Sequence, residues 1–113
     1  MRILIAPDKF KGSLSAVAAA EAMARGWAAG WPGAELVLCP LADGGEGTME
    51  VLLRATGGRA VECEVTGPLG EKLRAPLGLL GDGRTAVVEM AAASGLALVP
   101  PERRDPRYTT SAG

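Results

Sequence analysis

The first group of residues whose types could do chemistry lies in one polar loop and consists of Asp8, Lys9, Lys11, Gly12 and Ser13. The loop follows a short apolar segment and precedes a stretch with helical periodicity. A helix N-terminus offers free backbone N–H groups and a partial positive charge, and lysine adds a full charge. We interpret the loop as an anion cradle in which Asp8 orients a hydroxyl group or holds magnesium. The alternative is a solvated loop in which Ser13 or Ser15 only caps the helix.

The second group lies in a glycine-rich loop and consists of Asp43, Gly44, Gly45, Glu46, Gly47 and Thr48. Asp43 followed by Glu46 three residues later resembles a capping box, in which Asp43 is the N-cap and no ligand is needed. A capping box does not explain three glycines, since each costs about 0.5 to 1 kcal/mol inside a helix. The glycines predict that a bulky group approaches the backbone.

Glu89 and Ser94 form a third, weaker group near an apolar run. A buried glutamate would have a raised pKa and would indicate a functional site. The alternative is that Thr85, Val87 and Glu89 share one strand face, which is simply exposed to water. The sequence leaves both interpretations open.

The first sixty residues predict two strand–loop–helix units that would position both loops. Residues 2–6 read as a buried parallel strand, and helical periodicity follows to about residue 30. Residues 35–39 read as a second strand, and residues 46–56 as a second helix. Such alternation is typical of a parallel sheet with helices on its faces, where ligands bind beyond the carboxyl ends of the strands. Trp27 and Trp31 fall on the apolar stripe of the first helix and are predicted to pack in the core.

The remaining residues predict antiparallel strands. Val61, Cys63 and Val65 alternate with glutamates, a turn follows, and residues 72–80 and 85–90 read as two further strands. We therefore predict an α/β fold with a Rossmann-like parallel βαβα start, followed by a β-rich antiparallel segment of a second α/β lobe. The boundary is placed near residue 59, which gives segments 1–59 and 60–113. Residues 109–113 are suited to opening another helix.

Composition excludes several classes of protein. The 113 residues carry 12 Lys plus Arg and 13 Asp plus Glu, and the net charge of −1 gives no general attraction to nucleic acid or anionic membranes. The apolar start is too short to span a membrane. Cys39 and Cys63 are read as reduced, buried thiols, which fits a cytoplasmic location. The chain has no histidine, so acid or base chemistry falls to Asp, Glu, Lys or Tyr.

Four sequence blocks, taken together, resemble the type-1 glycerate kinase family. They are Ile5-Ala6-Pro7-Asp8-Lys9-Phe10-Lys11-Gly12-Ser13-Leu14-Ser15, Leu41-Ala42-Asp43-Gly44-Gly45-Glu46-Gly47-Thr48, Val65-Thr66-Gly67-Pro68-Leu69-Gly70 and Glu89-Met90-Ala91-Ala92-Ala93-Ser94-Gly95-Leu96. The resemblance implies transfer of the ATP γ-phosphate to a hydroxyl of D-glycerate, with magnesium, between two α/β lobes. It also implies that this is the N-terminal portion of a longer protein and is inactive alone. Lys9 departs from the family pattern, which often has Ser or Thr there.

On this resemblance, particular roles are expected of the loop residues. Asp8 or Asp43 would orient the attacking hydroxyl or coordinate magnesium, and Lys11 would hold phosphate or the glycerate carboxylate together with backbone N–H groups near Gly12 and Ser13. Substrate or phosphate contacts are also expected from Lys9, Gly44, Gly45, Glu46, Gly47, Thr48, Glu89 and Ser94. Self-association into a homo-oligomer is compatible with the sequence.

Two other functions stay open at this point. One is a non-catalytic nucleotide- or anion-binding α/β module. The other is a different α/β enzyme such as an NAD-linked dehydrogenase, which would require a Gly-x-Gly-x-x-Gly fingerprint. The second loop offers only the partial match Gly45-x-Gly47, because Glu50 occupies the position of the last glycine.

Overall fold

A computed structural model of the chain describes residues 1–112 and divides them into two compact units, of which the first is Met1–Val51. In this unit β1 (Arg2–Ile5) pairs in parallel with β2 (Glu35–Leu38), and α1 (Ala16–Gly30) connects them. The predicted parallel start is confirmed. A further helix, α2 (Thr48–Thr56), begins in this unit and continues past its boundary.

The helix α1 begins at its predicted cap and is buried only in its first turns. Ser15 is the N-cap, and its Oγ accepts a hydrogen bond of 3.3 Å from the Ala18 N–H. The buried residues lie between Ala16 and Ala20. Strands of four residues reach about 13 Å, whereas fifteen helical residues extend about 22 Å, so the sheet covers only part of the helix.

The predictions of burial for this unit were therefore partly wrong. Trp27 and Trp31 lie beyond the covered part of α1 and are 45% and 57% exposed. In β1 only Ile5 is buried, because successive side chains point to opposite faces and α1 packs on one of them. Cys39 is exposed and Cys63 half-buried, although both are free thiols as predicted.

The second unit starts at Leu52 and contains a three-stranded antiparallel sheet. Its strands are β3 (Arg59–Thr66), β4 (Lys72–Leu79) and β5 (Ala86–Val88), in the order β3-β4-β5. The predicted hairpin and third strand are confirmed. The short helix α3 (Met90–Ser94) and two 3₁₀ turns, Leu96–Leu98 and Pro101–Arg103, follow.

The sequence predicted a boundary near residue 59 and a helix start at residues 109–113. The predicted boundary near residue 59 coincides with the start of β3, whereas contacts divide the chain between Val51 and Leu52. The assignment of two lobes stays a prediction. Residues 109–112 are irregular and Gly113 lies outside the described residues, so the helix predicted to open there stays a prediction. No helix in residues 1–112 is long and apolar enough to cross a membrane.

The turn between β4 and β5 is held by Asp82. Its Oδ1 accepts hydrogen bonds of 2.9 Å from the N–H groups of Arg84 and Thr85, and its Oδ2 accepts one of 2.6 Å from the Thr85 hydroxyl. These bonds, the hydroxyl first, hold the pKa of Asp82 below its ordinary value. Gly81 precedes Asp82, and its N–H donates to the Thr56 hydroxyl at the end of α2.

Candidate functional site

A cavity of about 300 Å³ lies within the first unit and is lined by residues of both predicted loops. The first loop and the start of α1 contribute residues 8–16, the chain after β2 contributes residues 41–42, and the segment around the start of α2 contributes residues 46–47 and 50. Because β1 and β2 are parallel, their carboxyl ends meet at one edge of the sheet, and the two loops emerge there together. The predicted meeting of the loops is therefore found.

The first loop contains a tight turn before α1 begins. The N–H groups of Ser13 and Leu14 donate to the Phe10 carbonyl at 2.8 and 3.0 Å, and the Phe10 N–H donates to the Leu14 carbonyl at 2.9 Å. Gly12, inside the turn, has a φ of +73°. The expectation that helix N–H groups near Gly12 and Ser13 are free was wrong for Ser13, because its N–H is used within the turn and α1 starts only at Ala16.

Lys11 sits in this turn with an exposed side chain. In the part of the chain that the structure describes, its ammonium group forms no ion pair or hydrogen bond. It also lines the cavity. Lys11 is thus a cation at the cavity whose charge no described carboxylate neutralises by direct contact.

Lys9 has a different environment, because its ammonium group links the two loops. The Nζ donates to Asp43 Oδ1 at 2.8 Å and lies 4.0 Å from Asp8 Oδ1. Its side chain is only 21% exposed. The hydrogen bond to Asp43 is the main cause that raises the pKa of Lys9 above its ordinary value.

Asp43 is not a helix cap, so the capping-box interpretation was wrong. The helix α2 begins at Thr48, five residues later, and the N–H and hydroxyl of Thr48 both bond to the Gly45 carbonyl. Asp43 Oδ1 instead accepts hydrogen bonds from the Gly45 N–H at 2.9 Å and from Lys9. Asp43 therefore shapes the loop and holds it against the first loop.

The backbone geometry of the second loop explains why glycine occupies these positions. Gly44 and Gly47 have φ values of +92° and +89°, a region that other residues rarely adopt. A Cβ at Gly45 would lie 3.1 Å from Asp43 Oδ1, which is tight. The inference that the glycines admit a bulky ligand is thus not needed to explain them.

Asp8 is the carboxylate of the first loop at the cavity. Its Oδ1 accepts the Lys9 N–H at 2.6 Å, and its side chain remains 44% exposed. Residues 1–112 contain no group of three or more His, Cys, Asp or Glu side chains that could hold a metal ion. Magnesium commonly uses one or two carboxylates together with substrate phosphates, so Asp8 fits such a site. Asp43 fits poorly, because one of its oxygens already contacts an ammonium group.

Glu50 lines the cavity and was missed from the sequence. Its Oε1 lies 3.5 Å from Ser15 Oγ, which joins the first turn of α2 to the N-cap of α1. The sequence did contain a signal for Glu50, because it lies in the first turn of a predicted helix that follows a candidate loop. Glu46, predicted as a contact residue, also lines the cavity.

Glu89 and Ser94 belong to the second unit, whereas all residues that line this cavity belong to the first. Glu89 is half-buried and directly precedes α3, so it is neither fully buried nor part of β5. The Ser94 hydroxyl donates to the Met90 carbonyl at 3.1 Å. Neither residue lines this cavity, and their predicted contact with substrate stays a prediction.

The contact between Lys9 and Asp43 predicts how the carboxyl group titrates. The Lys9 ammonium, then the Gly45 N–H, hold the pKa of Asp43 below its ordinary value, which is about 3.9. The contact therefore stabilises the folded chain fully above about pH 3.9 and is lost as the pH falls through the lowered native value. A ¹³C NMR titration of the Asp43 carboxyl should give a midpoint below that of an unfolded peptide. A midpoint at or above the peptide value would contradict the contact.

Comparisons with known proteins identify similar chains. A sequence model of the glycerate kinase family matches residues 3–113. The chain is 60% identical to glycerate kinase of Bacillus subtilis strain 168 and 56% identical to glycerate 2-kinase of Escherichia coli strain K12, in each case over the whole of this chain. A crystal structure described as glycerate kinase 2 of Salmonella typhimurium LT2 is 57% identical and superposes with a TM-score of 0.82 over 98% of this chain.

The matches cover only a part of those proteins. The chain spans 30% of the length of the B. subtilis and E. coli relatives and 30% of the Salmonella chain. The matched part is the N-terminal portion of the full-length relatives. The cavity described above therefore lies in the part of the chain that these matches cover.

Proposed function

Since this chain belongs to the glycerate kinase family, we propose that the protein transfers the γ-phosphate of ATP to a hydroxyl group of D-glycerate. The observation that carries the proposal is the cavity in which Asp8 and Lys11 of the first loop meet Glu46 and Glu50 beside the second. Phosphoryl transfer depends on positioning and charge neutralisation rather than on a covalent intermediate. A cavity with carboxylates, an available lysine and no histidine suits that chemistry.

Five side chains at the cavity have roles in this proposal. Lys11, whose ammonium group is not engaged by another side chain within residues 1–112, attracts the transferred phosphate or the glycerate carboxylate. Asp8 orients the attacking hydroxyl or holds magnesium, and magnesium, when bound, neutralises charge on the phosphates. Phe10, Leu41 and Ala42 supply apolar lining.

The position of phosphorylation is proposed from one relative. The E. coli protein, 56% identical, is named a glycerate 2-kinase. We therefore assign the 2-hydroxyl as acceptor, so that the product is 2-phosphoglycerate. The substrates are small and intracellular in this proposal, which places the protein in the cytoplasm. Binding by the 113 residues alone is expected to be weak, with no turnover, because the relatives are more than three times as long.

The test is a coupled ADP-release assay on the complete gene product with ATP, magnesium and D-glycerate. We expect ADP release that depends on glycerate and on magnesium, and ³¹P NMR should identify the product as 2-phosphoglycerate. Omission of glycerate and replacement of ATP by NAD⁺ are the controls. Absence of glycerate-dependent ADP would refute the kinase assignment, and ATP binding without turnover would favour a non-catalytic nucleotide-binding module.

A further inference from the structure

Lys9 is more enclosed than three other basic side chains that form ion pairs. Its side chain is 21% exposed, whereas those of Arg2, Lys72 and Arg107, which also form ion pairs, are 71% to 80% exposed. Its ammonium lies between two carboxylates from different loops, at 2.8 Å from Asp43 and 4.0 Å from Asp8. An ammonium neutralised by two carboxylates attracts a phosphate less strongly than a lysine without such partners.

A continuous set of hydrogen bonds runs from Lys9 to the start of α2. The ammonium donates to Asp43 Oδ1, and the same oxygen accepts the Gly45 N–H. The Gly45 carbonyl then accepts the N–H and the hydroxyl of Thr48, the first residue of α2. Glu46 and Glu50 reach the cavity from this segment. These bonds link the contact between Lys9 and Asp43 to the segment that carries both carboxylates.

We propose that Lys9 is a positioning residue, whose ammonium group fixes the second loop against the first and is not a ligand of phosphate. Asp43 is the anchor for this contact and not a magnesium ligand. The statement about activity rests on the proposed kinase function, whereas the statement about the loop does not. The proposal revises two expectations: that Lys9 contacts phosphate, and that Asp43 takes part directly in the chemistry.

The test uses the complete gene product with Lys9→Met, which keeps most of the unbranched side chain and removes the charge, and with Lys9→Arg, which keeps the charge. The structural readout is the amide of Gly45 in ¹⁵N-glycine-labelled protein. We expect Lys9→Met to shift this resonance and to speed its hydrogen exchange, because Asp43 Oδ1 is no longer held in place. Lys9→Arg should restore most of the original behaviour.

The kinetic readout separates positioning from binding. We expect Lys9→Met to lower kcat by about ten- to a hundredfold, because misplaced groups lose catalytic geometry, while KM for ATP changes little. Lys9→Arg should recover most of kcat. Lys72→Met is the matched control, since Lys72 forms a contact of similar length, 2.7 Å, with Glu64 but is 80% exposed and lies in the second unit. It should leave both readouts unchanged.

The outcomes decide between the roles. A raised KM for ATP with an unchanged Gly45 amide would show that Lys9 is a phosphate ligand and would overturn the proposal. If Lys9→Met does not fold, Lys9→Ser, which also removes the ammonium group, must produce the Gly45 change, and an unchanged amide there would equally overturn the proposal. If the unmodified protein shows no glycerate-dependent ADP, the kinase function fails while the Gly45 readout still decides the role of Lys9.

Discussion

Replacement of Asp8 by Asn is expected to lower kcat/KM for glycerate phosphorylation by about 10²- to 10³-fold, the size of effect seen when one group that stabilises a transition state is removed. The change should leave the fold intact. An Asn side-chain oxygen still accepts the Lys9 N–H that Asp8 Oδ1 accepts at 2.6 Å, so the loop keeps its local hydrogen bond. The side chain is also substantially exposed, so no buried charge is left unpaired.

The dependence on magnesium separates the two roles proposed for Asp8. If Asp8 holds magnesium, Asp8→Asn raises the magnesium concentration needed for half-maximal activity, and part of the loss is recovered at high magnesium. If Asp8 orients the glycerate hydroxyl, kcat stays low at saturating magnesium. Both results are consistent with Asp8 in the site. The measurement is the ADP-release rate of the complete gene product over a range of magnesium concentrations.

Glu64→Gln provides the matched control for this prediction. Glu64 is an exposed carboxylate that accepts a hydrogen bond of 2.7 Å from Lys72 in the second unit. Surface ion pairs contribute little to stability, so Glu64→Gln should leave both turnover and unfolding unchanged within experimental error. Normal kcat/KM in Asp8→Asn would show that Asp8 is not part of the site. Glu46 and Glu50 would then be the carboxylates to test next.

Local patterns in the sequence predicted the strands and their pairing. The alternation of Val61, Cys63 and Val65 with glutamates predicted β3 and its antiparallel neighbour, because a period of two is a local property of a strand. The two apolar runs before the polar loops predicted β1 and β2. The approach of the two loops followed from parallel pairing, since both loops leave the same edge of the sheet.

The details of the site depended on contacts that no local pattern contains. Asp43 followed by Glu46 matches a capping box, yet α2 starts only at Thr48, and Asp43 is instead bonded to Lys9, 34 residues earlier in the chain. The same contact partly buries Lys9, which the sequence predicted to be either solvated or in contact with phosphate. The prediction that Trp27 packs in the core was wrong for a related reason. Periodicity identifies the apolar side of α1, but it does not give the length of the sheet that covers this side.

Replacement of Gly81 by Ala is expected to destabilise the second unit by about 1 to 3 kcal/mol, the usual cost of forcing extra atoms into a closely packed position. A Cβ at Gly81 would overlap the backbone carbonyl oxygen of Thr56. Backbone atoms cannot rotate away as a flexible side chain can, so the turn and the end of α2 must separate. The hydrogen bond from the Gly81 N–H to the Thr56 hydroxyl, 3.2 Å long, would weaken with that movement.

Gly26→Ala tests whether this effect is steric or a general property of glycine. Gly26 lies inside α1, and a Cβ there would meet no atom within 4 Å. Alanine in a helix interior is favoured over glycine by about 0.5 to 1 kcal/mol, so Gly26→Ala should raise stability. Urea unfolding of the two variants should therefore shift the midpoint in opposite directions. A Gly81→Ala midpoint equal to or above that of the unmodified protein would mean that the turn before Asp82 does not pack against the end of α2.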